Sequence, residues 1–256
     1  MRIIISPAKK MNQDLDTLDY NQLPMFLEDT YKLLELMKKM TYDELKILWK
    51  CNDQIAHLNH ERIKTMDLEH ALTPALLAYE GIQYQYMAPA VFETQAYHYI
   101  EEHLRILSGF YGILNPFDGV TPYRLEMQAK LSVEGHKNLY AFWGEKLAKR
   151  LFEETDCIVN LASKEYSKCI EAYVTDEVKF ITCVFGEMID GKVKEKGTYA
   201  KMARGEMVRF MAEHQIEKVE EIKAFNRLGY QFEEEYSNEK VYTFIKQVEP
   251  DCSKPF

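Results

Sequence analysis

Cysteine is scarce and scattered in this sequence. Its five cysteines, Cys51, Cys157, Cys169, Cys183 and Cys252, are odd in number and none forms a close pair. Neither a disulfide framework nor a zinc site is signalled, and a reducing cytoplasm is the expected compartment. Glycine and proline are sparse as well, at 11 and 8 residues, and 29% of the chain is charged. That balance excludes a fibrous repeat or a disordered chain. No uncharged apolar run approaches the ~20 residues of a membrane span, so no membrane partner is expected. The opening Met-Arg-Ile-Ile-Ile-Ser-Pro is too short for a signal sequence. An excess of positive charge is also missing, because 32 Lys and Arg stand against 41 Asp and Glu. The net charge of −9 predicts a soluble protein with no general pull towards nucleic acid, so any basic patch must be local. No Walker loop, dinucleotide fingerprint or nucleophile elbow occurs. His57 and His60 lie three apart on a predicted helix without a third ligand, so neither a metal nor a cofactor is expected.

What is present is a hydrophobic content of 46% over 256 residues, enough to bury a sizeable core. No internal repeat or linker divides the chain. One domain over residues 1–248 is expected, with a tail at 249–256 that lacks periodicity and frays. Arg2 to Ser6 reads as a central strand because it is β-branched and apolar on both faces. Pro24 opens a helix, Thr41 to Glu44 forms a capping box, and Asn52 caps the next helix. Thr73-Pro74 starts a fourth helix ending near Gly81, and a helical pattern runs from Glu93 to Leu107. Asn138 begins another, continuing to Phe152. Asp156 to Leu161 reads as a buried strand. Val178 to Ile189 and Lys192 to Lys194 read as a hairpin across Asp190-Gly191. Thr198 to about His214 is a helix, Glu217 to Ala224 a short one, and Leu228–Glu234 with Val241–Val248 a closing strand pair. The mixture predicts an α+β (mixed α/β) fold, a mixed sheet surrounded by helices.

Five constellations can carry chemistry. Ser6-Pro-Ala-Lys9-Lys10 follows the first strand, where ligands sit in open sheets; the alternative is a surface loop with solvated lysines. Leu107 to Met127 holds three glycines and two prolines and ends on Arg124 and Glu126. In an extended segment these two share a face, as a grip and a base or as a structural salt bridge. Asn160 to Tyr166 places Asn160 at a strand end and Ser163 at a helix start, suited to an anion or to simple capping. On the helix from Thr198, Lys201, Arg204 and Arg209 share a face with Gly205, opposite Tyr199, Ala203, Met207 and Phe210. That face is a phosphate contact or merely solvated. Gly109 to Gly112 is either a hairpin offering backbone N–H groups or a helix terminus.

Together these stretches resemble the YaaA family of peroxide-stress proteins. The likeness rests on Ile3–Lys9, Leu107–Asp118, Pro122–Met127, Leu139–Gly144, Val159–Tyr166, Lys201, Ala203–Gly205 and Gly229–Phe232. It implies a cytosolic protein that helps cells withstand hydrogen peroxide, with lowered free iron and less oxidative DNA damage. It also implies a domain of unusual topology, with a positively charged cleft and a helix-hairpin-helix-like element that bind duplex or branched DNA. By motif position Lys9, Arg124, Lys201 and Arg204 are the cleft cations and Gly109 and Gly112 the hairpin; the constellations above add Asn160, Ser163 and Gly205 as expected phosphate contacts. The second reading is an enzyme acting on a nucleotide or nucleobase, with Glu126 or Tyr166 handling protons.

Overall fold

Ile3, Ile4 and Ile5 have no solvent exposure, and their strand, β1 (Arg2–Ile5), lies in the middle of the main sheet. The computed structural model describes residues 1–247. The tail at 249–256 and Val248 of the last predicted strand lie outside the described residues. After β1 come β2 (Lys10–Met11), α1 (Leu27–Lys38), α2 (Tyr42–Trp49) and α3 (Asp53–Thr65). The expected caps are formed: Glu44 N–H donates to Thr41 Oγ1 at 3.3 Å, Thr41 N–H to Glu44 Oε2 at 2.8 Å, and Ile55 N–H to Asn52 Oδ1 at 3.0 Å.

The fourth predicted helix is instead three short pieces, β3 (Thr73–Pro74), α4 (Ala75–Ala78) and β4 (Tyr79–Glu80), and α5 (Ile82–Met87) follows Gly81. Leu72 to Leu76 are all buried, so the stretch has no polar face to show solvent, and β3 and β4 pair with distant strands. The helix predicted from Glu93 to Leu107 is also divided. α6 (Thr94–His103) passes directly into β5 (Leu104–Ser108), every residue of which is buried. Ile100, Leu104 and Leu107 fit a helical period, and periodicity cannot separate a short buried strand from a buried helix. Pairing with β1 decides in favour of the strand.

β6 (Gly112–Leu114) and β7 (Gly119–Val120) follow. The helix expected from Asn138 to Phe152 is α7 (Leu139–Trp143) and α8 (Lys146–Glu154), parted at Gly144, whose φ is +50°. β8 (Cys157–Leu161) and α9 (Lys164–Glu171) come next. β9 (Lys179–Ile189) and β10 (Lys192–Lys194) make the expected hairpin, with positive φ at Asp190 and Gly191. α10 (Gly197–Glu213) leads to the antiparallel pair β11 (Tyr230–Phe232) and β12 (Val241–Lys246).

The main sheet is mixed, in the order β11-β12-β9-β8-β1-β5-β6 with β10 on β9, and helices pack around it. β12, β9, β8, β1 and β5 are mutually parallel, while β6, β10 and β11 run antiparallel to their neighbours. This is a mixed α/β domain. The chain leaves β1 towards β5 on one side and returns to β8 on the other. The order therefore reverses between β1 and β8, opening a crevice at their carboxyl ends.

The Gly109–Gly112 stretch joins β5 to β6, so the helix-hairpin-helix-like element expected here is a tight connection between two strands. Its N–H groups are already used: those of Phe110 and Tyr111 donate to Ser108 Oγ at 3.1 and 2.9 Å.

Candidate functional site at the strand switch point

The crevice between β1 and β8 holds a cavity of about 390 Å³, within the usual size of small-molecule sites. Its floor begins at the strand ends. Ser163 N–H donates to Ser6 Oγ at 2.8 Å, and the two hydroxyl oxygens lie 3.2 Å apart. Ser163 thus stands at the N-cap of α9 without capping it through its side chain. Its hydroxyl ties β8 to β1 beneath the cavity.

One wall is the extended run Pro122 to Met127. Arg124 and Glu126 share a face there, as alternation requires, with Arg124 Nη2 3.3 Å from Glu126 Oε1. Lys9 reaches across from the loop after β1 and places Nζ 2.8 Å from Glu126 Oε2. The wall stands close to the sheet because residue 109 is glycine. A Cβ on Gly109 would come within 2.6 Å of Leu125 O and 2.9 Å of Met127 N.

The facing wall is α10, which brings Lys201 and Arg204 to the cavity. Arg204 Nη2 is 3.2 Å from Glu195 Oε1, whereas Lys201 has no ion-pair partner among the described residues. Arg209, on the same predicted face, pairs with Glu213 at 2.7 Å and does not line the cavity. Tyr199, placed with the buried side, is 41% exposed.

Lys9, Arg124, Glu126, Ser163, Tyr166, Lys201 and Arg204 therefore come together, out of the residues picked from sequence. Four do not. Gly109 and Gly112 are buried; Gly112, with φ of +77°, packs against Phe26, Trp143 and Leu147. Asn160 is consumed locally, accepting from Ala162 N–H at 2.9 Å and donating to Thr182 Oγ1 at 3.1 Å. Gly205 faces α5 rather than a phosphate, and a Cβ there would overlap the carbonyl oxygen of Gln83. Gly205→Ala is expected to destabilise the protein by about 3 kcal/mol in chemical denaturation, since a helix backbone cannot retreat as a side chain can.

Sequence reasoning missed α5. Tyr84 donates its hydroxyl to Ser6 O at 3.0 Å, and Gln83 Nε2 donates to Leu161 O at 3.4 Å, so α5 is bonded to the ends of β1 and β8. No local pattern links Gln83 or Tyr84 to strands ~80 residues away; only the fold does. Glu165 and Lys10 also line the cavity and stood inside singled-out motifs without a role.

The lining carries Lys9, Lys10, Arg124, Lys201 and Arg204 against Glu80, Glu126 and Glu165, a local positive excess in an acidic chain. Nε of Arg124 and Nε of Arg204 are buried without an acceptor among the described residues. Burial holds the phenols of Tyr84 and Tyr166 well above their ordinary range, so both keep their protons. Tyr123 is pushed up to about 12 by burial, against hydrogen bonds from Ser108 and Tyr79. Burial also raises the Glu165 carboxyl, offset in part by the Gln128 N–H and reinforced by Glu126. Among the described residues no group of three or more His, Cys, Asp or Glu gathers as metal ligands. No helix among them is long and apolar enough to cross a membrane.

An open α/β sheet with a polar cavity where its strand order reverses is the arrangement in which α/β proteins commonly hold ligands. The chain matches the family described as "Peroxide stress protein YaaA" over residues 1–236, and it belongs to that family. Relatives named UPF0246 protein align along almost the whole chain. One from Lachnoclostridium phytofermentans is 59% identical over 96% of each chain. One from Desulfitobacterium hafniense is 56% identical over 97% of this chain and 99% of its own. A third, from Pediococcus pentosaceus, is 53% identical over 96% and 98%.

Proposed function

We propose that this peroxide stress protein works in the cytoplasm by binding a phosphate-bearing ligand of nucleotide size at the switch point and carrying out acid–base chemistry on it. The observation that carries this reading is the pair of guanidinium groups, Arg124 and Arg204, which reach one cavity from distant parts of the chain with buried, unpartnered Nε–H groups. A buried donor left unsatisfied costs ~1–3 kcal/mol, and a ligand anion removes that cost. Arginine is suited to this task because its planar fork fits a phosphate. The tyrosines on the floor and walls offer apolar faces for the rest of the ligand. The unpaired thiols of Cys51, Cys157, Cys169 and Cys183 are consistent with a reducing compartment.

Binding of duplex or branched DNA is the second reading, favoured by the local positive excess and by the ammonium of Lys201, which has no ion-pair partner among the described residues. Against it, most cations that a duplex would need are already paired: Lys9 with Glu126, Arg204 with Glu195, Lys196 with Glu187 and Arg209 with Glu213. Relief from iron-dependent damage is, in this proposal, a consequence of chemistry in the pocket.

One set of measurements separates the two. Nucleosides, nucleotides and short duplexes are titrated against the protein with melting temperature and calorimetry as readouts. A mononucleotide that raises the melting temperature and binds at physiological salt supports the pocket. Duplex binding whose log affinity falls with a slope near −0.9 per neutralised phosphate, with no response to mononucleotides, replaces it with the DNA reading.

A further inference from the structure

We propose that Glu165 is the group that exchanges a proton with the bound ligand, as the acid in a hydrolytic reaction; the inference rests on the pocket reading above. Glu126 and Glu165 both line the cavity, and their surroundings differ. Glu126 is gripped at both oxygens, by Lys9 at 2.8 Å and by Arg124 at 3.3 Å. A carboxylate engaged by cations at both oxygens is committed to holding and orienting them. Glu165 has no cation within ion-pair distance among the described residues, and its one hydrogen bond is a long one, 3.3 Å from Gln128 N–H to Oε1. Its backbone is fixed nonetheless: Tyr140 donates its hydroxyl to Glu165 O at 2.8 Å, which holds the start of α9 in place.

The charged and titratable groups around Glu165 come from every neighbouring element. Glu126 on the wall opposes its ionisation, while Lys9 after β1 and Lys168 on α9 favour it at longer range. Tyr140 on α7 and Tyr166 on α9 remain protonated phenols, each raised by burial with Glu165 as a further cause. Tyr166 can donate a hydrogen bond, but it is no base near neutral pH. Two carboxyl groups held so differently divide the labour of a hydrolytic site, one engaged by cations and the other free to exchange a proton.

The step balances with water as the only co-reactant. The carboxyl O–H bond of Glu165 breaks and a new O–H or N–H bond forms on the leaving atom of the ligand. Water adds to the carbon or phosphorus that the leaving atom departs, and its released proton returns to the Glu165 carboxylate. One bond of the ligand is split, one water is consumed, and the residue ends as it began. Because the acid form is required, the rate should fall as pH rises through the Glu165 titration.

The test uses the full chain with the nucleosides and nucleotides above, reading binding by melting temperature and products by chromatography. In Glu165→Gln the ligand-induced melting shift should persist while turnover falls at least about 100-fold and the alkaline fall in rate disappears. A wild-type protein that binds a ligand but yields no product overturns the Glu165 assignment and leaves the pocket reading standing. So does Glu165→Gln turning over at the wild-type rate. If no ligand of the set shifts the melting temperature, both fall.

Discussion

Replacing Arg124 with alanine is expected to weaken nucleotide binding by about 100-fold, close to 3 kcal/mol, while the melting temperature moves little. The asymmetry follows from what the side chain does in the free protein. Arg124 is only 10% exposed, gives Nη2 to Glu126 at 3.3 Å and to Trp49 O at a long 3.5 Å, and leaves Nε without an acceptor. Truncation removes two weak contacts and one unsatisfied buried donor together, and these terms offset each other. Glu126 is not stranded, because Lys9 still lies 2.8 Å from its other oxygen. The ligand, by contrast, loses a rigid, partly desolvated fork that no neighbour can supply. Arg124→Lys should recover little, since an ammonium on a flexible stem cannot reproduce planar two-point contact. Calorimetric titration beside a thermal melt decides the matter. A large loss of stability with intact binding would make Arg124 a structural residue.

The largest stability effect is expected at the opposite end of the sheet. Glu154 on α8 receives Arg2 Nε at 3.0 Å, Arg105 Nε and Nη2 at 2.8 and 2.6 Å, and Arg150 Nη2 at 3.1 Å. Glu154 and Arg105 are 9% and 8% exposed, so the group is shielded from water. Glu154→Ala would leave Arg105 charged and unpaired inside β5, a change worth about 3–5 kcal/mol. For a protein of this size that corresponds to a fall of roughly 6–20 °C in melting temperature. The pH dependence has a definite sign. Burial opposes ionisation of Glu154, but Arg105, Arg2 and Arg150 outweigh it and hold the carboxyl below its ordinary value. The folded value therefore lies below the unfolded one, ~4.3 for glutamate. The stabilisation is complete above that unfolded value and is lost as pH falls through the folded one. Melting temperatures of the wild type and Glu154→Gln should thus differ near neutral pH and converge in acid. A gap that stays constant into acid would show that packing, and not charge, makes the difference.

These two sites divide the sheet. The arginine network clamps the amino ends of β1 and β5 to α8, and the cavity opens at the carboxyl ends of β1 and β8. The separation is a consequence of parallel pairing, which gathers the carboxyl ends of β12, β9, β8, β1 and β5 on one edge.

Much of this was legible locally. The Ile3–Ile5 run, the Thr41 capping box, the Asp190-Gly191 turn and the alternation that sets Arg124 beside Glu126 each depend on residues within a few positions of one another. Backbone stereochemistry and side-chain period act at that range, so the chain alone specifies them. The illegible parts are those in which a residue answers to a distant one. Leu104–Ser108 is a strand because β1 lies beside it, and the stretch after Leu72 is broken up because β2 and β7 pair with its pieces.

The same division applies to the glycines and to the site. The sequence by itself offered Gly109 and Gly112 as a hairpin or a helix terminus and Gly205 as a point of close approach, and it set Lys201 and Arg204 on one face of the helix from Thr198. It could not determine what fills that space. Tertiary structure decided that Gly205 meets α5 and Gly109 meets the Arg124 wall, that Asn160 is spent on its own turn, and that Gln83, Tyr84 and Glu165 belong to the cavity. The reason is physical: burial and close approach are set by contacts between elements, and the reversal of strand order between β1 and β8 is a property of the assembled sheet.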